Sequence, residues 1–403
     1  MEKKEKILNL TIIISISLLF AETSIAQWTK QKNGTSEDGV YADIAAGGPM
    51  NAYAVGVMDM GMGNTKGVIQ VTTNGGTSWN MAMPDSRLIA MYLSAWAPTP
   101  EKCYVGGISK VFITENSGVT WRESQHPSMA GMKPVIGIGG FGENFVVATA
   151  GSSIFVSHDS GLTWENPSNP LGDIGLSYVF FVDENTGWIV GGGADYDENQ
   201  NLIGYKDGAI IQTTDGGATW VILRQGEEKG FGTPSFVNQY DGWITSNSMS
   251  GPLVEKTNDG GHSWQALTVP VMSAGTLDGL YQVYFFDKCE GFLLGGDSQA
   301  KRTGLFYTID GGKTWEEVDT EFTKLEFPVP FPIPVYSRCI AMDFVDRTTG
   351  WITGTYEFIG HYSSQSPGPD CGTEPENPPS DASTDGGQNE SEGGSGCGCT
   401  IIE

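Results

Sequence analysis

Four aspartates and two asparagines occupy one position of a recurring octapeptide. The stretches are TTNGGTSW with Asn74, TENSGVTW with Asn116, SHDSGLTW with Asp159, TTDGGATW with Asp215, TNDGGHSW with Asp259 and TIDGGKTW with Asp310. A carboxylate beside hydroxyls could serve general acid–base chemistry or hold a hard cation through oxygen. Two features argue against either use. Asparagine can accept the same hydrogen bonds but cannot transfer a proton, and it stands in for aspartate in the first two copies. A group repeated once per structural unit is also carried to the same place in every unit, so the copies cannot converge on one site. A turn explains the pattern better. The side-chain oxygen accepts backbone N–H bonds within its own loop, a following glycine supplies the positive φ of a tight hairpin, and the closing tryptophan begins a strand.

Arginine is the other candidate for chemistry. SRLIAMYL from Ser86 and SRCIAMDF from Ser337 agree at Ser, Arg, Ile, Ala and Met. They occupy equivalent places before two innermost strands, which predicts Arg87 and Arg338 near one rim of a central channel. Paired guanidiniums in an acidic protein form a local carboxylate-binding spot, so these two are the candidate partner-binding residues. DYDENQN, residues 195–201, alternates oxygen-bearing side chains as a calcium loop does, but Gln200 and Lys206 fall where the loop needs glycine and glutamate; a solvated hairpin is the expectation. His126, His158, His262 and His361 show no metal-ligand spacing. The pairing of Cys103, Cys289, Cys339, Cys371, Cys397 and Cys399 does not follow from the sequence. The reading contains no catalytic residue, no metal and no cofactor.

The elements that position these residues are short and β-rich. Runs of Val, Ile, Phe, Tyr and Thr alternate with glycine-containing turns among 56 glycines and 11 tryptophans. A second repeated element, clearest in YVFFVDENTGWIVGG, VYFFDKCEGFLLGG and IAMDFVDRTTGWITG, precedes most octapeptides. Each unit reads as four strands over roughly 40–50 residues, the period of a β-propeller blade. Six full units span about 41–322. A seventh begins at Val335 and lacks its own Asp-turn and tryptophan strand. QWTKQ at the start, with Trp28, supplies the missing strand and leaves no open edge between the last blade and the first. The expected fold is therefore all-β: a seven-bladed β-propeller closed by its N-terminal strand. Trp28, Trp79, Trp121, Trp164, Trp220, Trp264 and Trp315 are the expected blade-packing residues.

The flanks differ in composition. Lys3, Lys4 and Lys6, an apolar run from Ile7 to Phe20 and small residues at Ser24 and Ala26 read as a signal peptide over 1–26. Residues 27–365 form the propeller. From Ser366 to Glu403 the chain is Gly-, Ser-, Pro- and acid-rich without a base, and reads as a disordered tail. The net charge of −26 repels phosphate backbones, so nucleic acid is excluded as a partner.

The octapeptide resembles the Asp-box, or BNR, repeat, Ser/Thr-x-Asp-x-Gly-x-Thr-Trp. The pairing of FFVDENTGWIVGG with GAIIQTTDGGATW resembles most the photosystem II assembly/stability factor family. That resemblance covers about 27–362 and implies a propeller that binds other proteins without catalysis. The family's arginine patch is matched only by Arg87 and Arg338. Sialidases and xyloglucan-cleaving glycosidases share the repeat and supply the alternative, a glycan-binding or glycan-hydrolysing propeller. Sialidases need three convergent arginines; this chain has six in all, of which Arg122 and Arg224 fall on outer strands. The expectation is an exported, monomeric protein-binding propeller at the cell envelope or outside the cell.

Overall fold

Near-continuous apolar runs alternate with polar hairpins because each strand pair in a blade is covered on both faces. In the computed structural model Phe145–Ala150 and Gly291–Asp297 are buried at every residue. The structure describes residues 27–32, 39–59, 65–82, 91–124, 126–129, 133–198, 202–273, 277–297, 302–320, 339–354 and 358–364.

These form seven antiparallel sheets, the blades of a propeller. The innermost strands are Gly39–Gly48, Ser94–Trp96, Val135–Phe141, Leu176–Phe181, the broken pair Gly230–Phe231 and Ser235–Phe236, Gly279–Phe285 and Cys339–Asp346. Each pairs outward with the next strand in sequence. In the seventh blade the outermost strand is Gln27–Lys32, which pairs antiparallel with Ile359–Ser363, Trp28 opposite Tyr362. First and last parts of the chain thus share one sheet and close the ring.

Two blades depart from four plain strands, each at a proline. In the third, the outer strand shrinks to a single bridge between Val156 and Glu165, just before Pro167, which has no N–H to continue a ladder. In the fifth, Pro234 splits the innermost strand for the same reason.

The core is divided as the ring is divided. Seven buried clusters lie one at each blade interface, and each holds one octapeptide-type tryptophan. Trp28, Trp164 and Trp220 are buried; Trp79, Trp121, Trp264 and Trp315 are partly so. A second set of tryptophans, Trp188, Trp243 and Trp351, has no exposed surface. Trp188 lies flat on Phe236 of the following blade at 3.6 Å between ring centres, and Trp243 repeats this on Phe285 at 3.7 Å. Their indole N–H groups donate to Gly260 O and Gly311 O in the next blade's Asp-turn, at 2.9 and 3.0 Å. Buried indole thus finds its polar partner across the interface.

Candidate functional site

The innermost strands of all seven blades line a central channel of about 500 Å³. Polar side chains on or behind its wall reach one blade onward. Asp343 Oδ2 accepts from Ala46 N of the first blade at 2.8 Å, and Asp43 Oδ2 accepts from Ala95 N of the second at 2.9 Å. Ser94 Oγ donates to Val135 O of the third at 3.0 Å, and Thr149 Oγ1 to Ser177 O of the fourth at 2.8 Å. Gln282 of the sixth blade clasps Met342 of the seventh, accepting from its N and donating to its O, both at 2.8 Å. Ser235 Oγ accepts from Phe285 N at 2.9 Å between fifth and sixth. A backbone N–H facing a partner blade would otherwise be left unbonded.

The two aspartates are strongly desolvated. Desolvation pushes both up to about 7, against hydrogen bonds from Ala95 and Ile44 to Asp43 and from Ala46 and Phe344 to Asp343; for Asp43 the charge of Asp343 adds to the rise. Near neutral pH each is divided between carboxylate and carboxylic acid. Tyr178, on the same wall, is raised by desolvation and then by Asp43. Tyr281, Tyr284, Trp96 and Phe180 complete an aromatic lining.

The octapeptide turns lie elsewhere, each joining the third and fourth strands of its blade, and their geometry is local. Thr213 Oγ1 donates to Asp215 Oδ1 at 2.8 Å and accepts from Gly217 N at 2.9 Å. Asp215 then accepts from Thr219 N and Thr219 Oγ1, at 2.9 and 2.6 Å. Asp159, Asp259 and Asp310 repeat the pattern. At Asn74 the carboxamide oxygen accepts from Ser78 N while its nitrogen donates to Ser78 Oγ, both at 2.9 Å; Asn116 does the same with Thr120. Gly217 has φ 85°, as the hairpin requires. In the second and third blades serine takes the preceding left-handed position, Ser117 with φ 54° and Ser160 with φ 62°. Their hydroxyls bond Pro100 O and Asn144 Oδ1. Hydroxyl and amide donors from Thr163 hold Asp159 down at about 2. Thr219 donors likewise lower Asp215. At Asp259 and Asp310 burial opposes the shift and the same type of donors outweighs it.

Arg87 and Arg338, the candidate partner-binding pair, lie outside the described residues. Arg122 and Arg224 sit on the outer strands Arg122–Ser124 and Val221–Glu227. Arg224 is held by Glu227 and Glu255 over the Phe231 ring. Asp195 and Lys206 lie on the two strands of a long hairpin, where Lys206 Nζ meets Asp195 Oδ1 at 2.6 Å; residues 199–201 of DYDENQN lie outside the described residues. Cys103 is a buried free thiol and Cys289 is disulfide-bonded. Among the described residues no three His, Cys, Asp or Glu side chains are grouped to hold a metal. Sequence reasoning missed Asp43, Asp343 and Gln282. Their signal was one polar residue inside an otherwise apolar innermost strand, as in ADIA and AMDF.

Residues 306–317, which hold the Asp310 turn, match the BNR/Asp-box repeat. No curated protein matches the chain in sequence. Among solved structures, YCF48 bound to D1 peptide superposes with a TM-score of 0.59 at 16% identity, over 83% of this chain and 96% of that one. YCF48 from Cyanidioschyzon merolae gives 0.55 at 14%, over 83% and 98%. Virginiamycin B lyase from Staphylococcus aureus, a catalytically inactive variant with quinupristin, gives 0.54 at 12%, over 84% and 99%. At these identities the likeness is one of fold. With six such turns in register around seven sheets, the chain is a β-propeller carrying an Asp-box repeat at residues 306–317, and its fold is similar to that of the YCF48 structures.

Proposed function

We propose that this propeller binds a segment of another protein without catalysing a reaction, at the cell envelope or outside the cell. The observation that carries the reading is the use made of the channel's polar side chains. Asp43, Asp343 and Gln282 are each engaged by the backbone of the next blade. The rest of the wall is largely apolar, with Trp96, Tyr178, Phe180, Tyr281 and Tyr284 set among small and aliphatic residues, a surface suited to holding a chain segment by contact area. YCF48 offers a precedent, since a propeller of the same fold was solved with a D1 peptide. The basic start and apolar run of residues 1–26 support export. We assign the partner face to the rim where Arg87 and Arg338 precede the innermost strands of the second and seventh blades.

The test is capture of envelope neighbours by the native protein, followed by kinetics with Arg87→Glu and Arg338→Glu combined. Charged rim contacts act mainly on association and are screened by salt. The double variant is expected to associate more slowly, with a flatter salt dependence and an unchanged melting temperature. A much lower melting temperature would make the arginines structural. Turnover of sialosides or xyloglucan oligomers that disappears in Asp43→Asn or Asp343→Asn would overturn the non-catalytic reading.

A further inference from the structure

Against the acidic whole, one cavity carries a cationic lining. It has a volume of about 360 Å³ and lies between the Asp-turns of the fifth and sixth blades, bounded by Lys256, Trp264, Leu267, Gly311 and Lys313 among others. Lys256, on the strand Gly251–Thr257, is half-buried. Its ammonium stands 4.7 Å from the centre of the Trp243 ring. A methyl group placed on Gly311 would come within 3.2 Å of Lys256 Nζ, which fixes the ammonium against the sixth blade's turn. Among the described residues no carboxylate lies within ion-pair distance of Lys256, whereas neighbouring Lys288 is paired with Asp241 at 3.1 Å.

The fourth blade shows what this position does without a cation. There the equivalent residue is Gln212, whose amide reaches Gly260 O of the next turn at 3.5 Å. In both blades a tryptophan, Trp188 or Trp243, also bonds that carbonyl of the next turn; in the fifth the second residue is a lysine, which lines the cavity and brings a charge to it. Burial, followed by the charges of Lys313 and Lys288, holds Lys256 below the ordinary lysine value despite the opposing pull of Asp241. An anion entering the cavity would relieve that repulsion and meet a cation already stripped of much of its water. The surrounding Trp264 and Leu267 add apolar walls, which suit a carboxylate on a short carbon stem better than a fully hydrated inorganic anion.

We propose that Lys256 and Lys313 form a pocket for a carboxylate side chain or chain end of a partner polypeptide, separate from the channel. The proposal deepens the protein-binding reading and rests on it. Its probe is a hexa-glutamate peptide, titrated into the full chain at low ionic strength by calorimetry, with inorganic phosphate as a second arm. The peptide is expected to bind in spite of like net charge. Lys256→Gln should weaken binding roughly tenfold or more, as loss of a charge-assisted contact does, and Lys313→Gln, at an exposed turn position, should weaken it without any effect on folding. Lys133→Gln, on another blade, should change nothing. Peptide binding indifferent to both pocket substitutions, no peptide binding, or phosphate binding of equal strength would overturn the proposal. If native partners are still captured after such a failure, the protein-binding reading survives and only the pocket is lost.

Discussion

The outer turns and the channel wall use the same side chain in opposite ways. Asp215 is exposed, receives hydroxyl and amide donors from within six residues of chain, and is held below its usual value. Asp343 lines the channel, receives its donor from a strand 297 residues away, and is pushed up to about 7. Three hydrogen bonds reach the Asp215 carboxylate and two reach that of Asp343, a difference too small to separate them by itself. Desolvation does: the turn keeps water on the anion and the channel removes it. Asparagine serves in two of the turns, where only hydrogen-bond geometry matters.

The comparison depends on a closed ring, and breaking closure should have the largest effect. Trp28 fills the interface between sixth and seventh blades against Phe292, Phe344 and Tyr362. Trp28→Ala should cost about 3–5 kcal/mol, lowering the melting temperature by roughly 10 °C. Deleting Gln27 to Gln31 should do more, since it also removes Gln31, which donates to Gly75 O of the first blade's turn at 2.8 Å. An unchanged melting temperature in both would refute closure by the N-terminal strand.

The second effect is on pH dependence, measured by thermal melting from pH 4 to 9. Asp43 and Asp343 have folded values raised to about 7. Their contribution is complete below the unfolded value near 4 and is lost as pH rises through 7. His361 works the other way, because burial lowers its value, so it adds stability as pH rises. The quantity to compare is therefore the slope of wild type against Asp43→Asn with Asp343→Asn. The double variant should melt with a clearly flatter decline between pH 5 and 8. Equal slopes would mean the two carboxyls are solvated in the channel as the turn aspartates are.

Much of this architecture was legible because it repeats. Register of the octapeptide, the Gly-Trp strand pairs and the count of units point to seven blades, and Trp28 stands one period before Trp79. The polar pattern of the channel wall was not legible, because the wall is assembled from short stretches of seven blades that lie far apart in sequence. Asp43 and Asp343 are 300 positions apart, yet they act through adjacent blades. The lysine pocket is equally non-local: Lys256 and Lys313 belong to successive blades and only the Gly311 turn brings them to one cavity. Asp-turns are local hairpins, so their bonding could be read from eight letters.

The smallest effect sharpens the other half of the comparison. If the turn aspartates act only as acceptors, Asp215→Asn should reproduce what Asn74 and Asn116 already do, with the carboxamide oxygen accepting from Thr219 N and its nitrogen donating to Thr219 Oγ1. Stability at pH 7 should then change by less than about 0.5 kcal/mol. Asp215→Ala removes the acceptor from both Thr219 donors and leaves Thr213 Oγ1 without its partner. Water replaces some of this at an exposed turn, so the loss should be about 1 kcal/mol. The two variants should also part at low pH. The depressed value of Asp215 contributes stability above the unfolded value near 4 that is lost as pH falls through the folded one. Asn carries no such charge, so Asp215→Asn should lose less stability than wild type between pH 4 and pH 2. A variant that matched Asp215→Ala at pH 7 would show that the carboxylate charge, and not the turn geometry, holds the hairpin.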